Sequence, residues 1–409
     1  MTLPPGVSSP KPNQVCKLMK SLYGLKQASR KWFEKLTSIL LQHHFIQAPS
    51  DHSLFIKKTA SSFTLLVVYV DDIILVGDSL TEFDHIKSIL HNSFKIKNLA
   101  QLKYFSGLEV AHSKLGISLC HRKYCLDLLS DSGSINSKPV STPSDPSIKL
   151  HHDSSLPYDD IPSYRRLVGI LLYLNTTRPD ITFITQQISQ FLSKPTQTHH
   201  QAALRVLRYL NRCPAKGLHL PRSSSLHLQG IYDADWAGCI DTRRSINGQC
   251  FFLGDSLISW RTKKQLTVSR SSSEAKYRVL ASATCELQWL IYLLRDLHVT
   301  CSKLPVLFCD NQSAFHIAVN PVFHERTKHL DIDCHIVREK LHDGILKLLL
   351  VSSKEQLTDF FTKPLLPQPF GLLLSKLGLI EIYQPPPCGG LLHNKSEEEN
   401  LESKQHSLD

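Results

Sequence analysis

Two arrangements of acidic residues in this 409-residue chain could hold divalent metal ions. In the first, Tyr69-Val70-Asp71-Asp72 places adjacent aspartates between the apolar runs Phe63 to Val70 and Ile73 to Val76. Neighbouring carboxylates repel, so a bound cation would stabilise the pair. Mg²⁺ takes hard oxygen ligands and shares them with substrate phosphates. In a two-metal site the ions stabilise both the attacking and the leaving oxygen. Alone, the dipeptide reads more simply as an ordinary Asp-rich turn. The second arrangement is dispersed: Asp233 after an apolar run, Glu274 at the opening of a long helical pattern, Asp310 after another apolar run, and Asp359 in the first turns of a last helix. Each has a plain reading too. Ser271-x-x-Glu274 is a capping box, Asp310 suits a helix N-cap, and Asp359 suits an exposed helix acid. Together, four acids at strand ends and helix starts point to one edge of a sheet, where ligands of α/β folds gather. Converging there, they would hold two Mg²⁺ ions about 4 Å apart for phosphodiester hydrolysis.

The elements that must position these acids follow from periodicity. Gln27 to Phe45 reads as a helix with Trp32, Phe33, Leu36, Ile39 and Leu40 on one apolar face. The two apolar runs around Asp71 and Asp72 form a hairpin. A mixed stretch continues to about residue 130, and residues 131–163, rich in Ser, Pro and Asp, read as a linker. Three helical patterns lie between Tyr164 and Leu210, with Pro179 at the start of the second. From Leu226 the pattern becomes strands at 226–233, 248–254 and 256–260, a helix at 272–296, a strand at 305–309, helical segments to about 343, a strand at 345–352 and a last helix from about 354. That order, βββαβαβα, predicts an α/β unit on a mixed sheet. From about Gln384 the chain runs through Pro-Pro-Pro-Cys-Gly-Gly into a polar, acidic end, which is expected to be disordered. The expected domains are 1–130, the linker 131–163, a helical connection at 164–221, the α/β domain at 222–368 and a tail at 369–409.

Lysine and arginine outnumber the acids 47 to 36, for a net charge of +11. Such a surplus favours polyanions, since Lys and Arg neutralise phosphates and release counterions. Arg205, Arg208 and Arg212 lie at i, i+3 and i+7 and could form a ridge along a phosphate backbone, or simply a solvated helix face. Arg261, Lys263, Lys264 and Arg270 surround the start of the Glu274 helix and are the stronger candidates for holding a duplex without reading its sequence. The 11 cysteines contain no CxxC pair and are odd in number, which reads as reduced, intracellular thiols. The pairs His43–His44, His151–His152 and His199–His200 have no partners at metal-ligand spacing and read as surface or partly buried histidines. Phe63 to Val76 is interrupted by Asp71 and Asp72 and is shorter than the roughly 20 residues that a membrane span requires. Met1 to Gln14 lacks the apolar segment of a signal peptide. No membrane association is expected, and the protein is expected inside the cell, in a cytoplasmic particle or the nucleus, and not secreted.

Several motifs in order resemble the Pol polyproteins of copia-type retrotransposons, over about residues 1–368. Tyr69-Val70-Asp71-Asp72 resembles the family's catalytic hairpin, and Leu22 to Arg30 (LYGLKQASR) resembles a block that lies against the incoming nucleotide, which implies nucleotide binding by Gln27. Leu102 to Glu109 resembles a later block near the primer, with Ser106 where Leu is usual; Tyr164 to Gly169 and Asn175 to Asp180 match further blocks. DADWAGC, DTRRS, SRSSSEA, FCDNQSA, RTKHLDIDCHIVRE and EQLTDFFTKPL resemble the ribonuclease H (RNase H) part of the family. The resemblance implies an α+β reverse transcriptase palm, truncated at its front and followed by the helical connection, then an RNase H-like α/β domain. It implies Asp233, Glu274, Asp310 and Asp359 as catalytic and metal-binding residues of the nuclease, with Asp71 and Asp72 as the polymerase remnant. Asp331 and Asp333 are alternatives for the fourth acid, but they fall mid-helix, whereas Asp359 follows a strand and opens the closing helix. Lys276 stands where the family usually has Glu, and is expected at the surface.

The implied activity is cleavage of RNA in an RNA–DNA hybrid with Mg²⁺ or Mn²⁺. Because a palm needs an aspartate from an earlier strand, upstream of the segment that is Met1 to Gly6, polymerase activity is not expected of this chain alone. The alternative is a non-catalytic nucleic-acid-binding relic. Pairing with a full-length copy of the polyprotein is a further expectation.

Overall fold

The computed structural model describes residues 19, 22, 24–70, 72–152, 155–320 and 331–382, of Asp331 the backbone alone. Three sheets organise them. The first is antiparallel and four-stranded, in the order β1 (Ile46–Gln47), β2 (Leu54–Lys58), β3 (Phe63–Tyr69), β4 (Asp72–Gly77). Helices α1 (Ala28–Gln42) and α2 (Leu80–Phe94) cover it. The apolar stripe of α1 puts Leu36 and Leu40 into a core with Phe55, Leu66, Val68, Ile86 and Leu90. Helix α2 starts where the Ser79 side chain accepts a hydrogen bond from the Glu82 N–H, which satisfies one of the four orphan donors of a helix start. The β3–β4 register pairs Tyr69 with Asp72, and Val70 follows β3 at the tip. Val70 has φ 51°, a left-handed conformation that is unfavourable for a β-branched residue.

The second sheet has the order β14-β8-β7-β6-β5, from β5 (Tyr104–Phe105), β6 (Leu108–His112), β7 (Gly116–Cys120), β8 (Lys216–Pro221) and β14 (Leu379–Glu381). Around it lie α3 (Arg122–Asp131), α4 (Ile161–Leu174), α5 (Thr182–Ile188), α6 (Gln197–Arg212) and α11 (Pro367–Lys376). Among these helices Arg178 and Asp180 form a buried, bidentate ion pair: Nε donates to Oδ1 at 2.9 Å and Nη2 to Oδ2 at 2.7 Å. The Tyr209 hydroxyl adds a 2.7 Å bond to Asp180, and Arg178 Nη1 donates to the Cys213 carbonyl at 3.0 Å.

The third sheet runs β11-β10-β9-β12-β13, built from β9 (Leu228–Asp235), β10 (Ile246–Leu253), β11 (Ser256–Lys264), β12 (Val306–Cys309) and β13 (Lys347–Leu350). The first three strands pair antiparallel, and β12 is parallel to both β9 and β13. Helix α7 (Ser272–Asp296) lays Tyr277, Leu280, Ala283 and Leu287 on one face of it, against Tyr232, Phe251 and Leu307. Helices α8 (Gln312–Val319) and α9 (Asp331–His342) complete that layer. The short α10 (Asp359–Thr362) rests on β10: a Cβ at Gly248 would meet Thr362 Cγ2 at 2.7 Å and Phe361 Cβ at 2.9 Å.

The mixed sheet is in keeping with the expected α/β unit, and three features describe the segments expected around it. Residues 131–163 carry little regular structure, yet they pack: Thr142 and Ser144 are buried, and Asn211 Nδ2 donates to the carbonyls of Ile135 and Ser137. At residue 221 the apolar core does not break, because Leu171 and Ile184 of the helical connection share it with Cys250, Leu257 and Phe361. The start of the expected tail is part of the fold, as α11 and β14. The expectation of disorder from about 384 falls outside the described residues.

The first sheet also touches the back of α7. Asp296 accepts hydrogen bonds from Ser50 Oγ at 2.6 Å and Ser50 N–H at 3.0 Å, and Trp289 Nε1 donates to the Ser50 carbonyl. The nine cysteines among the described residues are free thiols, and no described helix is long and apolar enough to cross a membrane.

Candidate functional site

The end of the third sheet gathers acids from three separate elements. Asp233 and Asp235 are two residues apart on β9, so their side chains share one face. Asp310 follows β12, and Asp359 opens α10. Thr362 Oγ1 donates to Asp233 Oδ2 at 3.3 Å, and Lys363 Nζ lies 2.8 Å from Asp359 Oδ1. Burial pushes the Asp359 carboxyl above its ordinary range; Lys363 opposes this, and the Asp233 and Asp310 carboxylates add to it. Asp235 is likewise raised by burial, against Lys363 and with Asp233 and Asp359. Asp235 was not among the expected site residues, although its i, i+2 relation to Asp233 was visible in the sequence.

A lysine completes the cluster. Lys276 Nζ lies 2.8 Å from Asp233 Oδ1 and 2.5 Å from Asp310 Oδ1, and its side chain is only 13% exposed. The Asp310 contact is a hydrogen bond, and the Asp233 contact is a close ion pair. Burial acts to lower the Lys276 ammonium, but the two aspartates outweigh it and hold the group above its ordinary value. The expectation of a surface position for Lys276 is therefore corrected. It flanks Ala275 and Tyr277, both fully buried on α7, and its long side chain reaches back over the sheet to the acids.

Glu274 is held elsewhere. Its Oε2 accepts the Arg270 N–H at 2.9 Å and its Oε1 accepts Arg278 Nη2 at 3.1 Å, while Ser271 Oγ accepts the Glu274 N–H at 3.1 Å. Ser271 thus caps the helix, while the Glu274 side chain takes the N–H of Arg270 in place of the N-cap N–H that a capping box would use. Residues two apart on a helix differ by about 200° in direction, so a turn that aims residue 276 at Asp233 and Asp310 aims residue 274 away. Of the four expected acids, the structure joins Asp233, Asp310 and Asp359 and places Glu274 with Arg278. Of the alternatives, Asp333 is half-buried and raised by burial, with Arg278 opposing; the Asp331 side chain lies outside the described residues.

Mg²⁺ needs oxygen ligands at about 2.0–2.1 Å in near-octahedral geometry. An ammonium bridging the Asp233 and Asp310 oxygens occupies the space between them, and among the described residues no three His, Cys, Asp or Glu side chains are set to hold a metal ion. The residues present do not fit a divalent cation at this place.

Strands β10 and β11 with α7 and α9 enclose a cavity of about 350 Å³ lined by Arg261, Lys263, Lys264, Arg278, Gln265 and Asp333, among others; neither the clustered acids nor Lys276 lines it. Arg261, Lys263 and Arg270 are exposed, and Lys264 is half-buried. The ridge on α6 is less open than the spacing suggests. Arg205 is tied to Asp145 at 3.2 Å and to Thr142, Arg208 is half-buried and Arg212 is exposed. In the first sheet, Asp72 is exposed at the hairpin tip, the Tyr69 ring packs edge-on to Phe105, and Gln27 is exposed before α1. Asp71 lies outside the described residues.

Residues 1–146 match the family described as reverse transcriptase (RNA-dependent DNA polymerase). The chain is 42% identical over 395 residues to the retrovirus-related Pol polyprotein from transposon RE2 of Arabidopsis thaliana, covering 96% of this chain and 27% of that one. It spans about a quarter of the length of this and the next such plant relative. To the putative transposon Ty5-1 protein of Saccharomyces cerevisiae it is 32% identical over 285 residues, covering 69% of this chain and 92% of that one. Among solved structures it is similar to the RNase H1 of the halophilic archaeon Halobacterium salinarum, with 14% identity and a TM-score of 0.25, covering 33% of this chain and 94% of that one. The chain belongs to the Pol polyproteins of copia-type retrotransposons, with reverse transcriptase features in residues 1–146.

Proposed function

We propose that the RNase H-like part of this Pol segment holds an RNA–DNA hybrid without cutting it. The observation that carries this reading is Lys276, whose ammonium is bound to two of the acids on which hydrolysis would depend. A metal-activated water has no seat there, whereas the basic side chains of Arg261, Lys263 and Lys264, which line the cavity between β11 and α7, are suited to phosphates. Of the two activities that the sequence raises, non-catalytic binding is therefore the better supported.

The test uses the whole purified chain with a labelled RNA–DNA hybrid in Mg²⁺ and then Mn²⁺. Fluorescence anisotropy should show binding that weakens steeply with salt, and Arg261→Ala with Lys263→Ala should lower the salt slope by about one for each phosphate no longer neutralised. A gel should show intact RNA. Metal-dependent cleavage that Asp310→Asn abolishes would overturn the reading.

A further inference from the structure

We infer that the Lys276 ammonium takes the seat between Asp233 and Asp310 that a divalent cation would occupy, so that exchanging this one side chain turns the cluster into a metal site. The inference rests on the proposed non-cutting reading and deepens it, by naming the residue that keeps metal out and the ligand class that its removal would admit.

Three observations carry it. First, the surroundings are built for more positive charge than the lysine brings. Among the described residues Lys276 is shared by Asp233 and Asp310, Lys363 pairs with Asp359, and Asp235 feels Asp233 and Asp359 against Lys363. Among the described residues, these four carboxylates thus meet two ammonium groups. Second, Lys276 bridges its two acids at close range, 2.5 Å from Asp310 Oδ1 and 2.8 Å from Asp233 Oδ1. Removing the ammonium would leave one buried oxygen of each acid directed at the same point. Third, the seat is rigid. Position 276 lies between the buried Ala275 and Tyr277 on the 25-residue helix α7, and Asp233 is in the middle strand of its sheet. A shorter side chain at 276 would leave the carboxylates in place and open the space that the ammonium fills.

The chemistry then depends on what replaces the lysine. Lys276→Gln removes the ammonium and adds a neutral oxygen. Lys276→Glu adds a carboxylate aimed at the same point. Either leaves the buried acids to repel one another until a cation enters, and hard divalent ions prefer such oxygen-only surroundings.

The experiment uses the full chain without nucleic acid, as wild type, Lys276→Gln, Lys276→Glu and Lys276→Glu with Asp310→Asn. Mn²⁺ is the probe. Its binding is read from the loss of the free-ion electron paramagnetic resonance signal, and from the unfolding midpoint in MnCl₂ against chelator at constant ionic strength. Wild type should show no saturable Mn²⁺ binding and no shift in midpoint. Both single variants should gain Mn²⁺ binding and a midpoint that rises with it. Glu should bind roughly tenfold tighter than Gln, since ligand charge tunes affinity. Asp310→Asn should cancel the gain. If Lys276→Glu does not fold without metal, Lys276→Gln decides the matter. Folded variants that show no Mn²⁺ response would overturn the inference, as would wild type binding Mn²⁺ as tightly as they do. Hybrid binding by wild type is measured separately, so loss of that binding would sink the proposed function and leave the metal result standing.

Discussion

Two buried ionic clusters lie in this chain, and they differ in how completely their partners are satisfied. In the helical connection, Arg178 and Asp180 match fork to fork, and Tyr209 and the Cys213 carbonyl use much of what remains. At the end of the third sheet, a single ammonium spans two aspartates while two further acids crowd the same space. The first arrangement needs nothing from outside. The second has carboxylates to spare, the mark of a place shaped for cations, and the lysine there satisfies it only in part. Burial alone does not distinguish structure from site; the balance of charge within the buried volume does.

The largest expected effect is on the satisfied pair. Asp180→Asn leaves the fully buried Arg178 without its countercharge, and breaking such a pair costs about 3–5 kcal/mol. Urea unfolding should show that loss. A change below about 1 kcal/mol would mean that Arg178 finds another partner and that the two clusters are alike.

Acid should separate the clusters by sign. Burial lowers His121 and His199 to about 4, and both lie among the helices around Arg178. Their unfolded value is about 6.5, so between those limits the unfolded chain binds more protons and stability falls as the pH drops. The stability should be whole above about pH 6.5 and decline towards pH 4, by at most roughly 3 kcal/mol for each histidine. Asp235 and Asp359 act in the opposite sense, because carboxyls raised by burial favour the folded state as the pH falls. Replacing both histidines with Gln should flatten the decline between pH 6.5 and 4; an unaltered slope would place the acid sensitivity elsewhere.

The smallest effect is expected at the rim of the cation-poor cluster. Lys363 is 44% exposed, so its pair with Asp359 is screened by water, and Lys363→Met should cost under about 1 kcal/mol. A loss as large as that of Asp180→Asn, measured in the same urea series, would show Lys363 to be as essential to its acids as Arg178 is to Asp180.

Much of this could be read from residues. The boundaries of α7, 272–296, follow from Ser271 and Glu274 as a capping pair and from the apolar rows behind them, which are local features. The Tyr69–Asp72 hairpin is legible for the same reason: its apolar strands are adjacent in the chain. The packing of residues 131–163 was not legible, because Arg205, Asn211 and the buried Thr142 meet only in space. His199, fully buried in a capping box with Thr196 and stacked on Phe191, also looked like half of an ordinary histidine pair.

The site divides along the same line. Sequence alone determined which acids follow which strands, because periodicity and turn chemistry act over a few residues, and it placed Asp233, Asp310 and Asp359 at the ends of the elements that carry them. It assigned Glu274 to the site and Lys276 to the surface, although both lie in the first turn and a half of one helix. The tertiary structure places them the other way round. The rotation of α7 is set by Tyr277, Leu280, Ala283 and Leu287 packing on strands distant in sequence, and that rotation turns Glu274 to the helix end and carries Lys276 in among the acids.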